Sequence, residues 1–304
     1  MAPDDAPLLV LEVPGSSRTA DVYMAPTLDG LYVPYALQTP ADEGQFPFVV
    51  LAYGNGGGGL EWLASRVRSH SYISERLLAA GYACAWTRYR TEVEQGFHRG
   101  GPLVVDERSG MELMNRSPLE FEDELAILRH VARHPRIDAA RLAHVGVSHA
   151  GEMLFKLASR YPDAVRAGVA IEPANHEFLD LRPESSDFVD AAQRGKVEEM
   201  QMHDTQRVRA RCNVDLARER MAAIDIPIMV IGRDDDHLQG IFRLSYELLA
   251  ESNATATWAS WDHPLHGYVF PECDARGRAQ VDPTQDAAID AIASFLDRHL
   301  TPLA

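Results

Sequence analysis

Residues 142–151, LAHVGVSHAG, constrain the fold more than any other stretch of the chain. An apolar run of strand length ends at Val147 and a helical pattern starts almost at once, so the backbone must reverse at Ser148. Such a reversal needs small side chains on both sides, because a larger Cβ substituent would collide with the neighbouring strand or helix. Gly146, Ala150 and Gly151 supply them. The turn pushes Ser148 out over the sheet edge and leaves the N–H of His149 at a helix N-terminus, facing any negative charge that develops beside the serine. A nucleophile needs that geometry, and His149 is a candidate oxyanion donor.

Strand and helix patterns alternate around this turn, which predicts an α/β fold with a mostly parallel central sheet flanked by helices. Residues 8–13, 20–24 and 31–37 read as short strands, the last two joined across Asp29-Gly30, and give the sheet an antiparallel entry. Residues 48–53 form a continuous apolar run, the mark of a strand covered on both faces. Five glycines in the six positions 54–59 then exclude helix and stable strand, and leave bare N–H groups or close approach of another segment as their use. A phosphate-binding loop would require a following G-K-[ST], which is absent.

Residues 72–80 read as a helix stopped by Gly81, and 82–89 as the next buried strand. Residues 95–115 are a long loop rich in glycine and charge, placed to rim a site. Ser117-Pro118-Leu119-Glu120 has the form of a capping box and opens a helix with Phe121, Leu125, Leu128 and Ala132 on one face. Strands at 167–171, 227–231 and 255–261 and a closing helix at 285–300 complete the alternation. Residues 174–223 break it, being charged, poor in β-branched residues and marked by Met200, Met202 and Met221. They are either a helical lid or cap inserted into a single domain that spans residues 1–304, or a pair of ordinary surface helices.

The balance of 29 Lys+Arg against 45 Asp+Glu gives a formal charge of −16, which repels phosphate backbones and anionic membranes and argues against both as partners. Cys84, Cys212 and Cys273 have no metal-ligand spacing and no disulfide framework. Asp4 and Asp5 stand where a signal peptide carries basic residues, and no apolar stretch has the length of a membrane span, so a cytoplasmic protein is expected.

The 146–150 segment resembles the G-x-S-x-G nucleophile elbow of the α/β-hydrolase superfamily, with Ala150 in the last position. The tract 120–151 is similar to the corresponding tract of dienelactone-hydrolase-like and prolyl-oligopeptidase-like enzymes, as are Tyr89-Arg90 at a strand end and His266-Gly267-Tyr268 downstream. The resemblance covers about residues 31–300 and is weakest across 174–223. It implies an α/β-hydrolase fold with Ser148 as nucleophile and an acid three residues after Gly232, at Asp235, with His266 as base. A shift of one residue in that loop would exchange Asp235 with Asp234 or Asp236. Where related sequences carry H-G-G or H-G-x-G after the strand at 48–53, this chain has Tyr53, and the resemblance implies Asn55, with Gly56 second, as the other oxyanion donor. His263 has no such match and reads as a residue of the rim.

The resemblance further implies acyl transfer to water without metal or organic cofactor, on a small-molecule ester or amide, with a homo-oligomer left open. An esterase comes first. A peptidase of the acylaminoacyl or dipeptidyl type is the alternative, although that type carries a long N-terminal domain and only about thirty residues precede the sheet here. An acyltransferase, a cyclase or a ligand-binding protein on the same scaffold is the reading from another class.

Overall fold

The computed structural model describes residues 6–54, 58–90, 119–182, 184–189 and 200–301. Asn55, Gly56, the loop at 95–115 and the capping-box residues Ser117 and Pro118 lie outside the described residues.

Strands β1 (Leu9–Glu12), β2 (Thr19–Pro26) and β3 (Tyr32–Gln38) pair antiparallel, as their alternating patterns and the Asp29-Gly30 turn anticipate. Gly30 takes φ +84°, a conformation that favours glycine. β3 then pairs antiparallel with β5 (Ala83–Thr87), and β5 pairs parallel with β4 (Phe46–Tyr53). From β4 the sheet continues parallel through β6 (Ile137–Val147), β7 (Ala167–Ile171), β8 (Ile228–Arg233) and β9 (Thr257–Trp261). The order is β1-β2-β3-β5-β4-β6-β7-β8-β9, a mostly parallel sheet of nine strands among the described residues.

Both faces of the sheet are covered, which is why its central strands read as unbroken apolar runs. Phe48, Val50 and Ala52 point to one core with helices α3 (Leu119–Val131) and α4 (His149–Arg160), while Val49 and Leu51 point to the other with α1 (Gly59–Ser69) and α2 (Ser71–Ala79). The closing helix α8 (Pro283–Leu300) lies on this second face through Ile289, Ile292, Phe295 and Leu296. Each such side chain taken from water contributes about 1.5–3 kcal/mol. Helix α1 has no counterpart in the expectations from sequence, because it starts on Gly58 and Gly59, both at positive φ. Its Leu63 and Val67, four residues apart, provide the buried stripe.

The described part of 174–223 contains α5 (Thr205–Arg211) and α6 (Val214–Ala222). Met200, Met202 and Met221 are fully buried in the same core as α4 and the helix α7 (Gln239–Ala250). The stretch is tied to the elbow at its start and to the loop after β8 at its middle. The N–H of Ala174 donates to the carbonyl of Ser148 at 3.1 Å, and the His203 ring approaches the carbonyl of Asp236 at 2.9 Å. No described helix is long and apolar enough to cross a membrane.

Candidate active site

The C-terminal ends of β6, β7, β8 and β9 lie side by side, so the residues that follow them share one edge of the sheet. The backbone ladder runs past the strand ends and fixes their level. The N–H of Ser148 donates to the carbonyl of Ile171 at 2.9 Å, that of Glu172 to Ile231 at 2.7 Å, and that of Asp234 to Trp261 at 3.1 Å.

Ser148 has φ +61° and ψ −123°, a strained backbone for a residue with a Cβ. The strain is held by its surroundings, since its carbonyl accepts the N–H groups of Gly151 at 2.9 Å and Ala174 at 3.1 Å. A Cβ on Gly146 would fall 2.5 Å from the Ala150 carbonyl oxygen, and one on Gly151 3.0 Å from Pro173 Cα. The close approaches therefore fall at 146 and 151, and alanine at 150 is accommodated, fully buried. His149 opens α4, where its N–H has no carbonyl of a preceding turn to meet.

The side chain of His149 is buried and meets carboxylates at both nitrogens, Nε2 to Glu120 at 2.7 Å and Nδ1 to Glu152 at 3.2 Å. Glu152 also accepts the N–H groups of Glu177 and Phe178 at 2.7 and 2.8 Å. The first turn of α4 is thereby clamped to α3 and to the segment after β7. This arrangement does not show as a sequence motif, because Glu120 stands 29 residues from His149 on a different helix.

His266 follows β9, as the order of motifs implied. Its Nδ1 meets the Glu172 carboxylate in a short contact and lies 3.8 Å from Asp236 Oδ2. Asp235 is exposed and its neighbour Asp236 is buried, so within this loop it is Asp236, and not the expected Asp235, that turns toward His266. The reason is local. Asp236 turns inward, where it accepts the N–H of Leu238 at 2.7 Å and pairs with Arg233, and this turn leaves Asp235 on the outside. Asp234 is exposed and accepts the hydroxyl of Ser260.

Glu172 directly follows β7 and belongs to none of the motifs read from the sequence. It is fully buried at φ +45°, and both its carboxylate oxygens accept the N–H of Gly267 at 3.2 Å. The available signal was a single charge between the apolar run of β7 and Pro173. Burial alone would lower the basicity of His266, but the negative carboxylates of Asp236 and Glu172 facing it outweigh burial, and the imidazole is raised to about 9. Burial likewise opposes the charge on Asp236, yet the imidazole of His266 facing it, the N–H of Leu238 and the nearby Arg233 bring it down to about 2.

Among the described residues, Glu172, Asp236 and His266 are the group whose donor atoms, all within 4.8 Å of one another, could hold a metal. The Arg233 guanidinium already supplies positive charge there, paired with Asp236 and 3.9 Å from Glu172.

Tyr53, at the end of β4, pairs in register with Val147 and so stands beside the serine. Its ring leaves no room for a side chain at position 267, where a Cβ would fall 2.4 Å from Tyr53 Cε2. His263 is a structural member of the rim, stacked on Tyr268 with ring centroids 4.8 Å apart and bonded through Nε2 to Asp282 at 2.9 Å. Arg90 at the end of the β5 segment is taken up by Asp29 and Asp123.

No family model matches the chain, and no curated protein does. Solved structures match throughout its length. Dipeptidyl peptidase 4 of Porphyromonas gingivalis aligns over 93% of this chain and 36% of that one, with a TM-score of 0.62 and 16% identity. A hyperthermophilic esterase from the archaeon Pyrobaculum calidifontis aligns over 92% and 85%, with a TM-score of 0.60 and 18% identity. The carboxylesterase EstE1, cloned from a metagenomic library, aligns over 96% and 92%, with a TM-score of 0.60 and 16% identity. The chain thus spans about a third of the peptidase and most of each esterase, and at these identities the likeness is one of fold. With its sheet order and the strained serine after β6, it establishes that the chain has the α/β-hydrolase fold.

Proposed function

We propose that this protein is a serine hydrolase that cleaves a carboxylic ester through an acyl-enzyme. The observation that carries the reading is a strained serine and a carboxylate-backed histidine on the same edge of four adjacent parallel strands. A serine hydroxyl is a weak nucleophile until a base removes its proton, and an imidazole does so only when a partner fixes its tautomer. His266, with Nδ1 turned to buried carboxylates, presents Nε2 as that base.

In this mechanism Ser148 Oγ attacks the ester carbonyl carbon while its proton passes to His266 Nε2. The oxyanion is held by the N–H of His149 and by the glycine loop through Asn55, with Gly56 second. The imidazolium returns the proton to the leaving alkoxide, and water then cleaves the acyl-enzyme by the same steps, regenerating Ser148. The carboxylates of Asp236 and Glu172 stabilise the imidazolium between these transfers.

Replacing Ser148 by alanine should abolish turnover of short p-nitrophenyl esters and labelling by a fluorophosphonate probe. Unchanged turnover in that variant rejects the reading, and wild-type protein that resists the probe favours a binding protein on the same scaffold. The fold likeness to a dipeptidyl peptidase keeps an amidase as the second reading, separated by assaying acyl esters beside aminoacyl-arylamides.

A further inference from the structure

Two buried carboxylates face the one imidazole, and they are not equivalent. Asp236 has its oxygens committed elsewhere. Its Oδ1 accepts the N–H of Leu238 at 2.7 Å and lies 3.4 Å from His237 Nδ1, and its Oδ2 is paired with Arg233. It stands 3.8 Å from His266 Nδ1, beyond hydrogen-bond length.

Glu172 is in the opposite position. Its carboxylate is in direct contact with His266 Nδ1, while Arg233 approaches it only to 3.9 Å. It also accepts the N–H of Gly267, the residue next to the histidine, so Glu172 holds both the ring and the backbone that carries it. Its own backbone is strained, at φ +45°, and tied by its N–H to the Ile231 carbonyl at 2.7 Å. A non-glycine residue in that conformation persists where the surroundings over-determine it, which is common at functional sites.

We propose that Glu172, the residue directly after β7, is the positioning carboxylate of His266, and that Asp236 serves the pair from behind as the partner of Arg233. This rests on the hydrolase reading of Ser148 and His266. The orienting acid then comes from the strand adjacent to the nucleophile's own strand, one strand earlier than the Gly232 pattern implied. Glu172 takes no proton from substrate. It holds the Nδ1–H tautomer and offsets the charge that His266 acquires when it accepts the serine proton.

The test compares E172Q, E172D and D236N in kcat, in the pH profile of kcat/KM, and in the downfield Nδ1–H proton resonance of His266. E172Q is expected to lower kcat by roughly 10³–10⁴-fold, the scale seen when an orienting carboxylate is lost. It should also move the rising limb of that profile down toward neutral pH and abolish the resonance, with E172D restoring part of each. D236N is expected to lower kcat by less than about tenfold and to keep the resonance. Equal losses in E172Q and D236N, or a resonance lost only in D236N, overturn the proposal. Should E172Q fail to fold, an unshifted resonance in E172D overturns it equally. The resonance needs no turnover, so a wild type without esterase activity defeats the hydrolase reading while Glu172 is still tested.

Discussion

Gly267 donates its N–H to both carboxylate oxygens of Glu172, at 3.2 Å each, one residue beyond the histidine that the same carboxylate meets. The histidine loop after β9 is thereby fastened to the end of β7, two strands away in the sheet. The position of His266 and its protonation share one cause, and pH should affect both activity and stability through it.

For activity, the base must be neutral to accept the serine proton, and His266 is raised to about 9 by Asp236 and Glu172 against the opposing effect of burial. The value of kcat/KM for a non-ionising ester should therefore climb with pH through neutrality and level off only near pH 9. A profile already flat at pH 7 would contradict the raised basicity.

For stability, the sign follows from comparing folded and unfolded values. The histidine rises from 6.5 to about 9 on folding, so its contribution is complete below 6.5 and is lost as pH climbs through 9. Asp236 falls from 3.8 to about 2, so its contribution is complete above 3.8 and disappears as pH drops through 2. Calorimetric Tm should be highest between these windows, and E172Q should flatten the alkaline decline.

The architecture was legible because parallel strands covered on both faces must be apolar throughout, and Val49–Leu51 or Val145–Val147 cannot be read otherwise. The serine turn was legible for the same kind of reason, since Gly146 and Gly151 answer steric demands that leave few alternatives. The acid was not. Arg233, Asp234, Asp235 and Asp236 are all polar, so no alternation tells which faces inward, and the outcome turns on Asp236 accepting the N–H of Leu238. The pairs Glu172–His266 and Glu120–His149 join residues far apart in the chain, and only the folded sheet and its helices bring them together.

The elbow makes a steric prediction. Gly146→Ala would set a Cβ 2.5 Å from the Ala150 carbonyl oxygen and 2.6 Å from His144 Cε1. One neighbour is helix backbone and the other a fully buried ring, so neither yields easily, and overpacking of this kind costs about 1–3 kcal/mol. Urea denaturation should show that loss, together with a fall in ester turnover as Ser148 is displaced. Ala150→Gly, which introduces no new atoms, should stay within about 1 kcal/mol of wild type.

A last prediction concerns the floor beneath the serine. His144 on β6 and Glu124 on α3 are both fully buried, and His144 Nε2 lies 2.7 Å from Glu124 Oε2. Among the described residues Glu124 Oε1 and His144 Nδ1 have no hydrogen-bond partner, so each residue depends on the other for its polar contact. Replacing His144 alone by leucine strands a carboxylate in an apolar core, and breaking a buried pair from one side costs about 3–5 kcal/mol. Replacing both by leucine removes the orphaned group, and a buried pair exchanged for well-packed apolar side chains is often close to neutral. The double variant H144L/E124L should therefore unfold at a higher urea concentration than H144L. If the two single losses simply add in the double variant, the residues are energetically independent and the pairing does not stabilise the fold.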